Sequence, residues 1–112
     1  MITEQLLLTI DFMRRKGIVH RDLKPDNVLL YSKEDGAFDI RVADFGYALK
    51  LKDQGKMESQ LVCGTPGYIA PEGISGKGFS NKTDIFSVGA ILFNMLTLKP
   101  LFAGADYLEL ML

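Results

Sequence analysis

The string His20-Arg21-Asp22-Leu23-Lys24-Pro25-Asp26-Asn27 constrains this chain more than any other feature, together with Asp44-Phe45-Gly46 seventeen residues after Asn27 and Ala70-Pro71-Glu72 beyond that. With each residue type used about once in twenty positions, five specified residues recur by accident roughly once in a few million. Three such strings in order leave little to chance. Their chemistry suits phosphoryl transfer, which needs an oriented hydroxyl, neutralised phosphate charge and metal ions that bridge the phosphates. Asp22 can accept a hydrogen bond from a substrate hydroxyl and take its proton late in the reaction. Lys24 can set an ammonium against a phosphate, and Asn27 and Asp44 are hard oxygen ligands suited to Mg²⁺. Gly46 lets the backbone turn sharply after Asp44 without a Cβ clash. Alone, Asp22 or Asn27 would read as a turn residue or a cap, and the surrounding string favours the chemical reading of these two; His20 reads as a satisfied core histidine, structural in either case.

The spacing of Ile2, Leu6, Ile10 and Met13 predicts a helix over 2–16, with Thr3 as its cap. Arg14, Arg15 and Lys16 suit a helix C-terminus and read better as a solvated end than as a docking patch; Gly17 can stop the helix. Ile18 and Val19 lead into the His20 loop. Val28–Tyr31 and Ala37–Val42 read as strands of a hairpin joined by Ser32–Gly36, which would hold Asn27 and Asp44 close together. From Tyr47 to Glu72 no period persists, and six of the eleven glycines lie between Gly46 and Gly76, as in a long functional or disordered loop. Asp84–Leu96 is apolar nearly all round, which predicts a buried helix capped by Ser80 or Asn81 and ended by Lys99-Pro100. A further helix begins at Asp106.

At 112 residues and 47% hydrophobic content the chain can bury one core. A formal net charge of −1 gives no reason to expect nucleic acid or an anionic membrane as partner. Cys63 is the single cysteine, which excludes an internal disulfide framework and points to a reducing compartment. It reads as a small loop hydrophobe rather than a reactive thiol. The N-terminal stretch carries acidic Glu4 and no basic segment of the kind that opens a signal peptide. The most apolar run, Val88–Leu96, falls short of the roughly 20 residues needed to span a bilayer. A cytoplasmic or otherwise intracellular chain is expected.

The three strings together resemble the C-terminal lobe of a eukaryotic protein kinase, over almost all of the chain. The resemblance implies an α+β fold, mostly helical, with a small β-hairpin carrying the catalytic loop (20–27) and the metal-binding motif (44–46). An activation segment (44–72) and a buried helix (84–97) would follow, all within one partial domain, 1–112. It implies ATP and Mg²⁺ as cofactors and a protein as substrate. Lys24, and Gly64-Thr65-Pro66-Gly67-Tyr68 ahead of Ala70-Pro71-Glu72, look like serine/threonine kinases, the calcium/calmodulin-dependent group and its relatives being nearest in flavour. By the same resemblance the Thr65 hydroxyl would link Asp22 and Lys24, and Leu29 would form the floor under the adenine. His20 and Phe45 would stack in a hydrophobic column, and Asp84 would accept hydrogen bonds from the backbone around His20-Arg21.

Some positions depart from the pattern. Asp26 stands where glutamate is commoner, and Phe86 replaces a tryptophan, keeping packing but losing an indole N–H. Leu61 stands where many relatives carry a phosphorylatable threonine, and Leu49 where a basic residue often helps receive that phosphate. Arg21 then has no obvious anionic partner, with Ser59 a substitute at the wrong spacing. No glycine-rich loop, strand lysine or helical glutamate partner is present, so the N-terminal lobe required for activity is expected to be missing. The arginine that would pair with Glu72 is not in the chain either, leaving Glu72 as an unpaired carboxylate if buried. The alternative to a serine/threonine kinase is a kinase-derived, non-catalytic interaction or competitor module.

Overall fold

The structure is a computed structural model that describes residues 2–50, 64–74 and 79–101. Helix α1 spans Ile2–Arg15 and buries Leu6, Ile10 and Met13. These lie four and three positions apart and so share one face. Thr3 sits inside this helix rather than capping it. Gly17 adopts a φ of 69°, the left-handed turn that ends the helix. Asp11 pairs with both Arg14 and Arg15 at 2.8 and 2.7 Å, so the basic cluster is a solvated helix end.

Strand β1, Ile18–Val19, follows at once, and a turn of 3-10 helix at Pro25–Asn27 closes the His20 loop. Strands β2, Val28–Ser32, and β3, Phe38–Val42, form the expected antiparallel hairpin with Val28 opposite Val42 and Ser32 opposite Phe38. One pairing was not foreseen. Strand β4, Leu49–Lys50, returns to β1 and sets Leu49 opposite Val19. The start of the segment read as periodless is thus tied to the front of the His20 loop.

Helix α2 is the short turn Pro71–Ile74, and α3 spans Asn81–Thr97. Ser80 caps α3 in a reciprocal box with Thr83: the Lys82 N–H donates to the Ser80 hydroxyl, and the Ser80 N–H donates to the Thr83 hydroxyl. Leu98 takes a φ of 58° and closes the C-terminus. The helix is not buried all round. Thr83, Asp84, Ser87, Val88, Ala90 and Ile91 are buried, while Ile85, Phe93, Met95 and Leu96 remain exposed. Apolar composition does not fix burial; a face is covered only where another element reaches it, and α1 and β1 reach one side.

One core joins the elements: Leu6, Ile10 and Met13 of α1, Leu23 of the loop, Ile40 of β3, and Val88 and Ile91 of α3. Each such side chain contributes about 1.5–3 kcal/mol by leaving water. Val19 and Phe79 form a smaller cluster beneath the His20 loop. The architecture is α+β, with helix outweighing strand among the described residues. None of the described helices is long and apolar enough to cross a membrane. Leu61, Ser59, Cys63 and the segment from Asp106 lie outside the described residues.

Candidate active site

The loop is mounted from below by Asp84. This carboxylate is fully buried in the first turn of α3. Its Oδ2 accepts from the His20 N–H at 2.8 Å and its Oδ1 from the Arg21 N–H at 3.0 Å. Burial pushes its pKa up, and the two backbone hydrogen bonds with the nearby positive charge oppose that. Arg21 is held at a φ of 72°, a conformation that costs a non-glycine residue about 1–3 kcal/mol. Two hydrogen bonds to a charged acceptor, each contributing about 1.5–3 kcal/mol, are enough to sustain it. Asn81 adds a second tie, donating its amide to the Ile18 carbonyl at 2.8 Å.

His20 is buried and bonded on both ring nitrogens. Nδ1 accepts from the Asp22 N–H at 3.1 Å, and Nε2 lies 2.9 Å from the Ala43 carbonyl. Only the neutral ring with its proton on Nε2 satisfies both partners. Its edge contacts Phe45, with ring centroids 4.9 Å apart. The pair expected to stack therefore meets edge to face, one of the favoured aromatic geometries.

Asp22 gathers the polar side chains of the candidate site. Its side chain is buried, Oδ1 accepts from the Thr65 hydroxyl at 2.8 Å, and the Lys24 ammonium stands 4.0 Å from Oδ2. Thr65 thus reaches Lys24 by way of the Asp22 carboxylate. Asn27 is buried and donates Nδ2 to the Asp22 carbonyl at 2.8 Å, which engages the amide nitrogen and leaves the acceptor capacity of its amide oxygen unused by that bond. The Ala43 N–H donates to the Asn27 carbonyl at 2.9 Å, so the hairpin register sets Asn27 beside the residue that precedes Asp44.

Asp44 is exposed, and its Oδ1 accepts from the Gly46 N–H at 3.3 Å. The left-handed residue of this turn is Asp44 itself, at a φ of 58°, and not Gly46. An Asp tolerates that conformation by bonding its own backbone two residues on. Leu29 is exposed on the hairpin face away from the core. Asn27 and Asp44 offer one amide and one carboxylate oxygen, and no group of three or more His, Cys, Asp or Glu among the described residues could cage a metal. That donor set fits Mg²⁺, which keeps waters and substrate phosphates alongside one or two protein oxygens.

Glu72 corrects an expectation. It is partly buried at the start of α2 but not unpaired, since the Thr83 hydroxyl donates to its Oε1 at 3.4 Å. Gly64 lies so close to the loop that a Cβ there would meet the Arg21 carbonyl at 2.6 Å. This close approach brings Thr65 within reach of Asp22. Several partners left no mark in the side-chain pattern: the carbonyls of Ala43 and Tyr47, the latter accepting from Arg21 Nε at 2.6 Å, and the Phe79 ring, 4.8 Å beneath the Arg21 guanidinium. Arg21 Nη1 is buried without a hydrogen-bond partner among the described residues.

A family model described as the protein kinase domain matches residues 1–111. Serine/threonine-protein kinase ATG1c of Arabidopsis thaliana is 41% identical over 108 residues, which is 96% of this chain and 14% of that protein. Calcium/calmodulin-dependent protein kinase type 1 of Macrobrachium nipponense is 41% identical over 101 residues, 90% of this chain and 28% of the other. Serine/threonine-protein kinase ATG1 of Mycosarcoma maydis is 41% identical over 120 residues, 98% of this chain and 12% of that protein. The chain therefore spans between 12% and 28% of the length of these relatives.

Proposed function

The chain belongs to the protein kinase family, and from that footing we propose that it carries the catalytic and metal-binding loops of a serine/threonine protein kinase, as part of the C-terminal lobe. The observation that supports this most is the Asp22 carboxylate, buried, bonded to Thr65 and faced by Lys24. Asp22 orients the substrate hydroxyl and accepts its proton. Thr65 fixes one carboxylate oxygen, so that the rotamer is set before substrate arrives. Lys24 sets positive charge beside the group that transfers. Asn27 and Asp44 are the residues that would hold Mg²⁺, which supplies neutralisation of phosphate charge when bound. Leu29 gives an apolar surface for the adenine of ATP, and the substrate is a serine or threonine hydroxyl of a protein. The test is transfer of labelled γ-phosphate by the full-length protein: Asp22→Asn abolishes transfer and keeps nucleotide binding. Near-normal turnover in that variant refutes the assignment.

A further inference from the structure

The side chain of Gln5 does something that its place on a surface-facing turn of α1 does not announce. Its Nε2 donates to the Phe38 carbonyl at 2.9 Å, and its Oε1 accepts from the Ile40 N–H at 2.9 Å. In the hairpin, bonds from the Lys33 N–H to the Ala37 carbonyl and from the Ala43 N–H to the Asn27 carbonyl mark the pairs that bond across the ladder. With the register of Ile40 opposite Leu30, alternation leaves residues 38 and 40 with their N–H and carbonyl groups turned to the outer edge of β3. The Gln5 amide meets that edge as an added strand would, filling one donor and one acceptor at once.

We propose that Gln5 is a positioning residue for the metal-binding pair. Its amide clamps the edge of β3 to α1 and thereby fixes the far end of the hairpin, where Asn27 and Asp44 stand. Three features make the clamp effective. It is two-pronged, so it resists both sliding and rotation of the strand. It acts beside Ile40, the hairpin side chain buried in the core, so clamp and core contact reinforce each other. And β3 runs from the clamp directly into Ala43, whose N–H bonds Asn27 and whose carbonyl meets His20. A shift of β3 along its axis would carry Asp44 away from Asn27. The proposal that this matters for Mg²⁺ rests on the reading of Asn27 and Asp44 given above; the mechanical claim does not.

Amide hydrogen exchange and steady-state kinetics on the full-length protein test both parts. Gln5→Met keeps length and helix preference and removes both polar atoms. It is expected to speed exchange of the Ile40 and Ala43 amides by about tenfold, the size of one or two lost neutral hydrogen bonds. The Mg²⁺ concentration for half-maximal activity rises by a similar factor, while KM for a peptide substrate stays within about twofold and Tm falls by about a few degrees. Gln5→Glu, which keeps the acceptor and loses the donor, falls between. Faster exchange at Ile40 alone, or at neither amide, overturns the clamp. Unchanged Mg²⁺ response in Gln5→Met while Asp44→Ala abolishes it also overturns the proposal. An unchanged Mg²⁺ response in Asp44→Ala itself sinks the metal assignment instead, and the Ala43 amide still decides the clamp.

Discussion

Thr65 donates its hydroxyl hydrogen to Oδ1 of Asp22 across 2.8 Å, joining residues 43 positions apart. The loop that delivers Thr65 approaches so closely that only glycine fits at position 64. Thr65→Val keeps the shape and removes the donor. Turnover should fall about ten- to a hundredfold, the range for one hydrogen bond to a charged group, with KM for ATP unchanged. Thr65→Ser should retain most of the rate. Steady-state kinetics of the two variants in the full-length protein would decide it, and equal rates for valine and serine would remove Thr65 from the site.

Asp44 stands exposed beside the Asn27 pairing, which makes it the carboxylate best placed for a divalent cation. Asp44→Ala should lose the Mg²⁺-dependent part of nucleotide binding. Affinity measured by calorimetry with and without Mg²⁺ should become the same in the variant. A wild-type-like difference between the two conditions would contradict the role.

Asp84 makes folding depend on pH in a specific direction. Burial raises its pKa above the usual carboxylate value in the folded state. The group's favourable contribution is then fully present below its unfolded pKa and declines as pH rises through the folded one. Asp84→Asn removes that titration and leaves one of two buried N–H groups facing an amide donor, at about 1–3 kcal/mol. The variant should be less stable throughout, and the gap to wild type should narrow as pH rises from the acid side. Denaturant unfolding of both proteins across that range measures the gap, and a gap that widens with pH would reverse the assignment.

Activity should not depend on phosphorylation at the usual loop position. Leu61 cannot carry phosphate, and Leu49 pairs with Val19 where a basic receiver often stands. The β1–β4 pairing and the Arg21–Tyr47 bond already hold the start of the segment. Phosphatase treatment of the full-length protein should leave most of its activity. Collapse of activity mapping to Ser59 would show that the buried Arg21 Nη1 receives a phosphate there.

Produced by itself, the 112-residue chain should transfer no phosphate and should self-associate. In the proposed reading its described residues would line only one side of a nucleotide, through Leu29, Asn27 and Asp44. Phe12 is 61% exposed and Leu96 76% exposed, among several apolar side chains on α1 and α3 that no described element covers. Light scattering and a labelled-ATP assay would check both, and transfer that vanishes with Asp22→Asn would refute the first.

The residues of the candidate site could be picked out in the sequence where chemistry and local pattern coincide. Asp22, Lys24, Asn27 and Asp44 stood in one string or one hairpin away from it, and the period of Leu6, Ile10 and Met13 marked the helix that supports them. The β1–β4 pairing was not legible, because two-residue strands have no period and their partners lie some thirty residues apart. Gln5 escaped notice for a related reason: a side chain bonding to backbone leaves no mark at the positions it bonds. Which flank of α3 is covered could not be read from its composition, because the same apolar residues serve a buried face or an uncovered one. Glu72 found a partner in Thr83, eleven positions along the chain, which no local pattern marked.

The grip of Asp84 on the loop reaches only main-chain N–H groups, which every residue except proline carries. Nothing in that grip reads which side chains sit at positions 20 and 21. A substitution that exchanges the guanidinium of Arg21 can therefore leave the loop mounted on Asp84. The mounting of the loop and the side chain carried at position 21 are separable features.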